Sequence, residues 1–328
     1  MKRSYAILLI SFSVFLLVLV ADKFGLFERG AFKPEPLLKT FAPQEITKIE
    51  ISYLLDGVKL EKGDGGWNVS GLLTKMREEL LRKEGKDPST YSLELKKYKA
   101  DADSVDKFLR NFAELRVVSI ASMKLKDDSI FELGPTAKSV VFYSGEKRAA
   151  SLQIGKSEGT GFYVKREGED AVYFTDGIVD VNLAIDGWRD KVVWDIPADT
   201  ISEVEVKKGD ESFYIRRDKD KWYGAVEKSE KEAGLDERRV SDFLDKISRI
   251  EAVRFGALPP EGDGGFSKPT LTLTVRTTLG LEKSLVVGDK VEGGYFNGKL
   301  ADNNSDIYLL NASLISSIPT LPSLLKKE

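Results

Sequence analysis

The sequence predicts an α+β fold, in which an N-terminal transmembrane helix precedes two tandem repeats. Each repeat is predicted to be an antiparallel sheet with one amphipathic helix packed on it. Three observations lead to this prediction. Residues 6–21 form an apolar run without charge. The rest of the sequence repeats itself, because the same residue types recur either 155 or 135 positions later. Hairpin signals dominate both repeats, and one stripe of apolar residues at helical spacing follows the first strands.

The N-terminal segment, residues 1–21, is predicted to be an uncleaved transmembrane signal anchor. Its apolar run over residues 6–21 would span about 24 Å as a helix. Lys2 and Arg3 precede the run, so the positive-inside rule places the N-terminus in the cytoplasm. The expected location is a bacterial inner membrane, crossed once, with the bulk of the chain periplasmic or extracytoplasmic. A cleaved signal peptide is the alternative, although cleavage after Ala21 would place Leu19 where a small residue is expected.

An extended tether is predicted over residues 22–45, which contain three prolines. Repeat one follows over residues 46–195, and repeat two over residues 196–328. Both repeats open with alternating apolar residues, a hairpin and a turn that leads into Trp67 or Trp222. We expect a three-stranded antiparallel meander at each start. Because the two tryptophans recur at equivalent places, core packing is favoured over exposed stacking faces.

A helix is predicted after each meander. Asp101 and Asp236 are the candidate N-caps, with Asp103 as an alternative in repeat one. The apolar positions have identical spacing in the two repeats, which is that of one face of an amphipathic helix. These positions are Val105, Phe108, Leu109, Phe112 and Leu115 in repeat one, and Val240, Phe243, Leu244, Ile247 and Ile250 in repeat two.

The remaining strands are predicted from β-branched and apolar runs separated by glycine turns. In each repeat, one of these strands is expected to end at a glycine, which is Gly155 in repeat one and Gly288 in repeat two. Each of these strands in repeat one has an equivalent strand in repeat two. The equivalent strands, in chain order, are residues 139–143 and 271–275, 149–154 and 284–287, 161–164 and 294–296, and 171–174 and 307–309.

An insertion over residues 71–99 is unique to repeat one, since the two repeat offsets differ by 20 residues. Leu72 to Leu80 predicts a short helix, and the alternation of Tyr91, Leu93 and Leu95 predicts an edge strand. The insertion is a candidate for a specific contact surface. The alternative is a tolerated surface excursion.

Composition excludes several kinds of chemistry. The chain has no Cys and no His, which rules out disulfides, thiolate chemistry, zinc–thiolate sites and every histidine-based catalytic arrangement. The 50 basic and 53 acidic residues leave no basic excess, so we expect no nucleic-acid partner. No catalytic residue, cofactor or metal site is predicted. Residues 302–306 offer alternating oxygen ligands but lack the glycine and the distal Glu of a calcium loop, so a polar hairpin loop is favoured.

Residues 186–191 connect the two repeats. Trp188 is expected to fill the seam between the domains, and Arg189 to pair with a nearby carboxylate.

The order of these elements resembles a bacterial family known as a domain of unknown function, DUF4340. The resemblance rests on the strand–turn–Trp67 opening, the helix capped by Asp101, the run FELGP over residues 131–135, the run LQIG that ends at Gly155, and the later pair of aromatic strands. Repeat two has the same skeleton but lacks Leu-Gly before Pro269. The resemblance implies a membrane-anchored extracytoplasmic module that stands beside transport systems, including gliding-motility-type ABC exporters. It transfers no catalytic residue.

We therefore expect a non-enzymatic, membrane-anchored accessory or scaffold protein of an envelope complex, such as an ABC-type export system. Its expected partners are inner-membrane or periplasmic proteins, including ABC transporter subunits, and the membrane itself through residues 6–21. Two alternatives remain. One is a peptidoglycan- or glycan-binding module that uses exposed Trp or Tyr faces. The other is a carboxylate-dependent hydrolase, which would need an acid with a raised pKa.

Overall fold

A computed structural model of the chain describes Phe15 and residues 32–123, 128–227, 230–258 and 262–326. The chain divides into two compact units, Met1–Arg189 and Asp190–Glu328. The repeat pattern placed this boundary slightly later, between residues 195 and 196.

The first unit is built mainly from antiparallel strands. In its described residues the elements, in chain order, are β1 (Glu35–Pro36), β2 (Lys48–Tyr53), β3 (Asp56–Gly63), β4 (Gly66–Gly71), α1 (Lys75–Lys83), α2 (Pro88–Glu94), β5 (Lys97–Lys99), α3 (Ala102–Glu114), β6 (Arg116–Ser122), β7 (Lys138–Ser144), β8 (Lys147–Glu158), β9 (Gly161–Arg166) and β10 (Val172–Asp176). The strands of this unit form one sheet in the order β1-β6-β10-β9-β8-β7-β2-β3-β4-β5.

The second unit repeats this plan. Its described elements are β11 (Val192–Asp195), β12 (Ile201–Lys208), β13 (Glu211–Asp218), β14 (Lys221–Ala225), β15 (Ala233–Gly234), α4 (Glu237–Ser248), β16 (Arg249–Glu251), β17 (Arg254–Gly256), β18 (Leu271–Thr277), β19 (Glu282–Lys290), β20 (Phe296–Leu300), β21 (Asn303–Leu310), α5 (Ala312–Ser317) and α6 (Leu321–Leu324). The main sheet has the order β15-β14-β13-β12-β18-β19-β20-β21-β17, and β11 pairs with β16 separately. The two sheets have the same order of equivalent strands. The series from β5 to β6 in the first sheet corresponds to the series from β15 to β17 in the second sheet.

Both predicted meanders form. Ile49 pairs with Leu60 across β2 and β3, and Val204 pairs with Ile215 across β12 and β13. These side chains are buried, as are Trp67 and Trp222. The period-two alternation of strand residues therefore directs one face of each meander into its core, as predicted.

The predicted helices also form, and both caps are confirmed. The Asp101 side chain accepts the N–H groups of Asp103 and Ser104, and the Asp236 side chain accepts that of Arg239. Every apolar position of the two predicted stripes is buried. In the first core, Phe112 packs edge-on against Phe142, with 5.1 Å between the ring centroids. Burial of such a side chain contributes about 1.5–3 kcal/mol, so the stripe holds α3 on the sheet.

The predicted fold class needs correction at its N-terminus. A transmembrane helix was expected there, but no helix in the described part of the chain is long and apolar enough to cross a membrane. The longest, α3, has 13 residues and spans about 20 Å, and only one of its faces is apolar. Of residues 1–21 only Phe15 is described, so the rest of that prediction lies outside the described residues. The architecture of the described residues is α+β with antiparallel sheets.

One element of the insertion was also predicted wrongly. Residues 91–95 were expected to form an edge strand, yet Tyr91 lies in helix α2 and the strand β5 comes only afterwards. The helix starts at Pro88, and Asp87 caps it by accepting the N–H of Ser89 at 2.9 Å. An N-cap Asp followed by Pro is a helix start signal that outweighs a short alternation of apolar residues.

Candidate functional site

The insertion borders a cleft of about 620 Å³ in the first unit, here named the insertion cleft. This volume lies within the range of ordinary ligand pockets, about 300–1,000 Å³. The turn between β2 and β3 and the segment before Trp188 complete the walls. The apolar lining consists of Leu55, Leu72, Leu95, Leu183 and Ile185. The segment that the sequence singled out as a candidate contact surface is therefore concave and partly apolar.

Thr74 joins the start of the insertion to the turn between β2 and β3. Its hydroxyl accepts the N–H of Arg77 at 3.2 Å, which caps α1, and donates to the carbonyl of Leu54 at 2.8 Å. Leu54 has φ +52°, a left-handed conformation that turns the chain between β2 and β3. One hydroxyl thus joins the helix cap to the turn.

Arg77 forms the first of two arginine–tyrosine contacts at the insertion cleft. Its Nε donates to the carbonyl of Leu55 at 2.8 Å, and its Nη2 lies 3.5 Å from the carboxylate of Asp56. The guanidinium lies over the ring of Tyr91, 5.6 Å from the centroid. Arg77 therefore joins α1, the turn and α2, because a planar guanidinium can donate in plane while its face contacts an aromatic ring.

Arg189 forms the second contact. Its guanidinium lies 3.8 Å from the ring centroid of Tyr98, and its Nη1 lies 3.1 Å from the carboxylate of Asp186. The pairing of Arg189 with a nearby carboxylate was predicted and is confirmed. Trp188 is buried in the core of the first unit, where its ring meets Phe108 edge-on at 5.1 Å.

Charge is distributed unevenly across the insertion cleft. The arginine side chains are the less exposed partners, at 28% for Arg77 and 9% for Arg189. Their carboxylate partners are far more exposed, at 73% for Asp56 and 59% for Asp186. An approaching molecule would meet an acidic rim before the apolar floor. Each carboxylate is also paired with an arginine, and its exposed side faces solvent.

Several side chains that a glycan-binding module or a calcium loop would use are buried or engaged in other contacts. All four Trp residues are buried, so their faces are not available for stacking on sugars. Tyr91 and Tyr98 each carry an arginine guanidinium on the ring. At 302–306, Asp302 pairs with Lys283 at 2.6 Å. Among the described residues, no group of three or more acidic side chains is placed to hold a metal ion.

Among the described carboxyl groups, those with a resolved shift all have a lowered pKa. In each case the largest cause is a hydrogen bond from a neighbouring side chain, which favours the charged form. These groups are Glu35, Asp87, Glu167, Glu232, Asp263 and Asp302. A catalytic acid needs the opposite shift.

Sequence reasoning missed the two arginine–tyrosine contacts. Arg77 and Tyr91 lie on different helices, and Tyr98 and Arg189 are much farther apart along the chain. No local pattern marks such pairs. The Asp87–Pro88 pair is a local helix-start signal that could have placed Tyr91 on a helix.

A comparison with protein families gives a match. The model of a family described as Domain of unknown function (DUF4340) matches residues 91–264, just over half of the chain. No curated protein and no solved structure matches this chain.

Proposed function

The chain belongs to the DUF4340 family, and from this premise we propose that it is a non-enzymatic accessory or scaffold protein of an envelope complex, such as an ABC-type export system. The insertion cleft is its proposed docking site for a partner protein, and the bulk of the chain is proposed to lie on the extracytoplasmic side of the inner membrane. The observation that carries the proposal is the insertion cleft itself, with its leucine floor and acidic rim.

The proposed occupant is an extended apolar segment of a partner that carries a Lys or Arg. Apolar side chains of that segment would cover Leu55, Leu72 and Leu183. Its cation would approach Asp56 or Asp186, whose carboxylates face solvent. Electrostatic complementarity of this kind selects the partner and speeds the encounter, whereas apolar burial supplies most of the affinity.

The first test is site-specific photocrosslinking of the full-length protein in its native membrane. A photoreactive residue replaces Leu55 in the insertion cleft, and the matched control replaces Leu279, a leucine of the second unit that is 87% exposed. We expect the Leu55 position, and not Leu279, to capture the same transporter or other envelope-complex subunit repeatedly. Capture of nothing, or of the same proteins from both positions, would contradict the proposal.

A charge reversal tests the acidic rim separately. Asp56→Lys should lower the crosslinking yield from Leu55 about tenfold, whereas Asp56→Glu should retain it. Asp64→Lys is the matched control, since Asp64 is an exposed acid on the neighbouring hairpin outside the lining. Equal losses for Asp56→Lys and Asp64→Lys would show that overall charge matters rather than this rim.

A further inference from the structure

A second cleft of about 640 Å³ lies in the first unit, at the end of the sheet where β7 begins and β8 ends. It is named the Gly155 cleft here. Leu133, Ile154 and Phe162 are buried residues of its wall, and Ile178 stands at its mouth with 58% of its surface exposed. None of its lining residues belongs to the insertion cleft.

The loop over residues 131–137 forms one wall of the Gly155 cleft. The carbonyl of Phe131 crosses directly over Gly155, and the N–H of Gly134 donates to the side chain of Gln153 at 3.3 Å. Between them, Glu132 has φ +56°, a conformation disfavoured for any residue with a β-carbon. The loop is thus held against β8 at Phe131 and at Gly134, and a strained residue lies between them at the cleft.

The second unit contains the same crossing, but with different charges. There the carbonyl of Gly264 crosses over Gly288. The N–H of Asp289 donates to that carbonyl at 2.8 Å. Aligning Gly155 with Gly288 places Asp289 where the first unit has Lys156, and Leu271 where it has Lys138. The crossing is therefore shared by both units, whereas the two lysines are a property of the Gly155 cleft.

Among the described residues, the two lysines of this cleft have no carboxylate partner. Lys138 and Lys156 are both half-buried in the cleft lining. The ammonium of Lys156 instead lies 5.7 Å from the ring centroid of Tyr163. The acids of the cleft, Glu132 and Asp180, are exposed to solvent. The two lysines therefore line the same cleft as the apolar residues Leu133, Ile154 and Ile178.

We propose that the Gly155 cleft binds an amphiphilic anion. The anionic head, a carboxylate or phosphate, would lie at Lys138 and Lys156, and the apolar chain would lie along Leu133, Ile154 and Ile178. The volume is adequate for a ligand of this kind. The same chemistry is offered by a free fatty acid and by an acidic phospholipid, so the experiment must separate these two sources.

Isothermal titration of the full-length protein with dodecanoate and with dodecyl phosphate tests the ligand class. The comparison ligands have the same chain length and are dodecyl maltoside, which is neutral, and dodecyltrimethylammonium, which is cationic. Both anions should bind at one site, and the neutral and cationic amphiphiles should bind at least about tenfold more weakly. Equal binding of all four ligands, or no binding of the anions, would overturn the proposal.

Variants place the ligand within the protein. Lys138→Gln and Lys156→Gln should each weaken dodecanoate binding about tenfold, because each removes one charge-assisted hydrogen bond to the head. Lys147→Gln, an exposed lysine of β8 outside the cleft, should leave it unchanged. Ile178→Ser should weaken dodecanoate without lowering the melting temperature, since Ile178 is largely exposed. Unchanged binding in the Lys138→Gln, Lys156→Gln double variant would refute the assignment.

Two further arms separate the sources. Vesicles of anionic phospholipid and of neutral phospholipid are each tested for competition with dodecanoate. Competition by anionic vesicles alone would support the site and identify a lipid headgroup as its ligand. An absence of competition by either vesicle, with monomeric dodecanoate still bound through the lysines, would support the site and identify a free amphiphile.

Discussion

The carbonyl oxygen of Phe131 lies so close above Gly155 that a methyl group on that glycine would collide with it. Gly264 and Gly288 stand in the same relationship in the second unit. The glycine is required because a loop backbone passes over the strand, and only a residue without a side chain permits that approach. The sequence predicted that both glycines end their strands. In fact β8 continues to Glu158 and β19 to Lys290.

Gly155→Ala should therefore destabilise the protein by about 1–3 kcal/mol, the usual cost of an added group in a packed site. The obstruction is backbone, which cannot rotate away as a side chain would. Urea unfolding of the full-length protein measures the change. Gly65→Ala is the control, because nothing lies within 4 Å of a methyl group there. If the two variants are equally stable, the loop does not cross Gly155 as described.

The helix caps offer a matched pair of tests. Asp101→Ala and Asp236→Ala should each cost about 1 kcal/mol, because the first-turn N–H groups lose their acceptor. Asp106→Ala changes an exposed acid inside α3 and should alter stability by less than about 0.5 kcal/mol. Chemical denaturation distinguishes these outcomes. If a cap variant has the same free energy of unfolding as Asp106→Ala, the cap does not contribute to stability.

Phe112 is fully buried and contacts two other phenylalanines, with its ring centroid 4.9 Å from that of Phe108. Phe112→Ala should cost about 3–5 kcal/mol, since the cavity adds to the lost apolar burial. Phe112→Leu keeps most of the volume and should cost clearly less. Hydrogen exchange of the α3 amides locates the effect. Full protection of α3 in Phe112→Ala would be inconsistent with this packing.

Arg77→Met should loosen the insertion, because α1 and α2 lose the guanidinium that joins them to the β2–β3 turn. The expected result is faster limited proteolysis between α1 and α2, with cleavage elsewhere unchanged. Arg82→Met is the control, since Arg82 is 66% exposed and its ion pair is with Glu78 of its own helix. Equal cleavage rates in the two variants would remove the role assigned to Arg77.

Stability should depend on pH through Glu232. Its carboxylate pairs with Arg216 at 2.6 Å through two nitrogens, and accepts the hydroxyl of Tyr214 at 2.9 Å. The Arg216 hydrogen bond is the largest cause that holds the pKa of Glu232 below its ordinary value. The folded state therefore binds this proton less readily than the unfolded state. The stabilisation is fully present above the unfolded pKa and is lost as pH falls through the lowered folded pKa.

Glu232→Gln tests this pH dependence. The variant should be less stable than the wild type at neutral pH, and the difference should shrink as the pH is lowered through the acidic range in which Glu232 titrates. Free energies of unfolding from urea titrations at several pH values measure it. A difference that stays constant with pH would mean that the carboxylate charge is not the source.

The sequence by itself determined the features that depend on neighbours along the chain. The caps at Asp101 and Asp236, the apolar stripes of α3 and α4, and the two meanders follow from backbone periodicity and local hydrogen bonding. Local signals in conflict were harder to interpret. At residues 87–95 an apolar alternation conflicted with an Asp–Pro helix start. The chain forms the helix, and Asp87 accepts the backbone N–H of Ser89 in its first turn.

The tertiary structure alone decided which distant groups meet. The partners Arg77 and Leu55, Arg189 and Tyr98, and Phe131 and Gly155 come together only after the sheet has formed. The same is true of the two clefts, since a concave surface is the space left between elements and no residue encodes it alone. Local periodicity specifies each element, whereas side-chain volume, close backbone approach and burial of charge determine how those elements enclose a site.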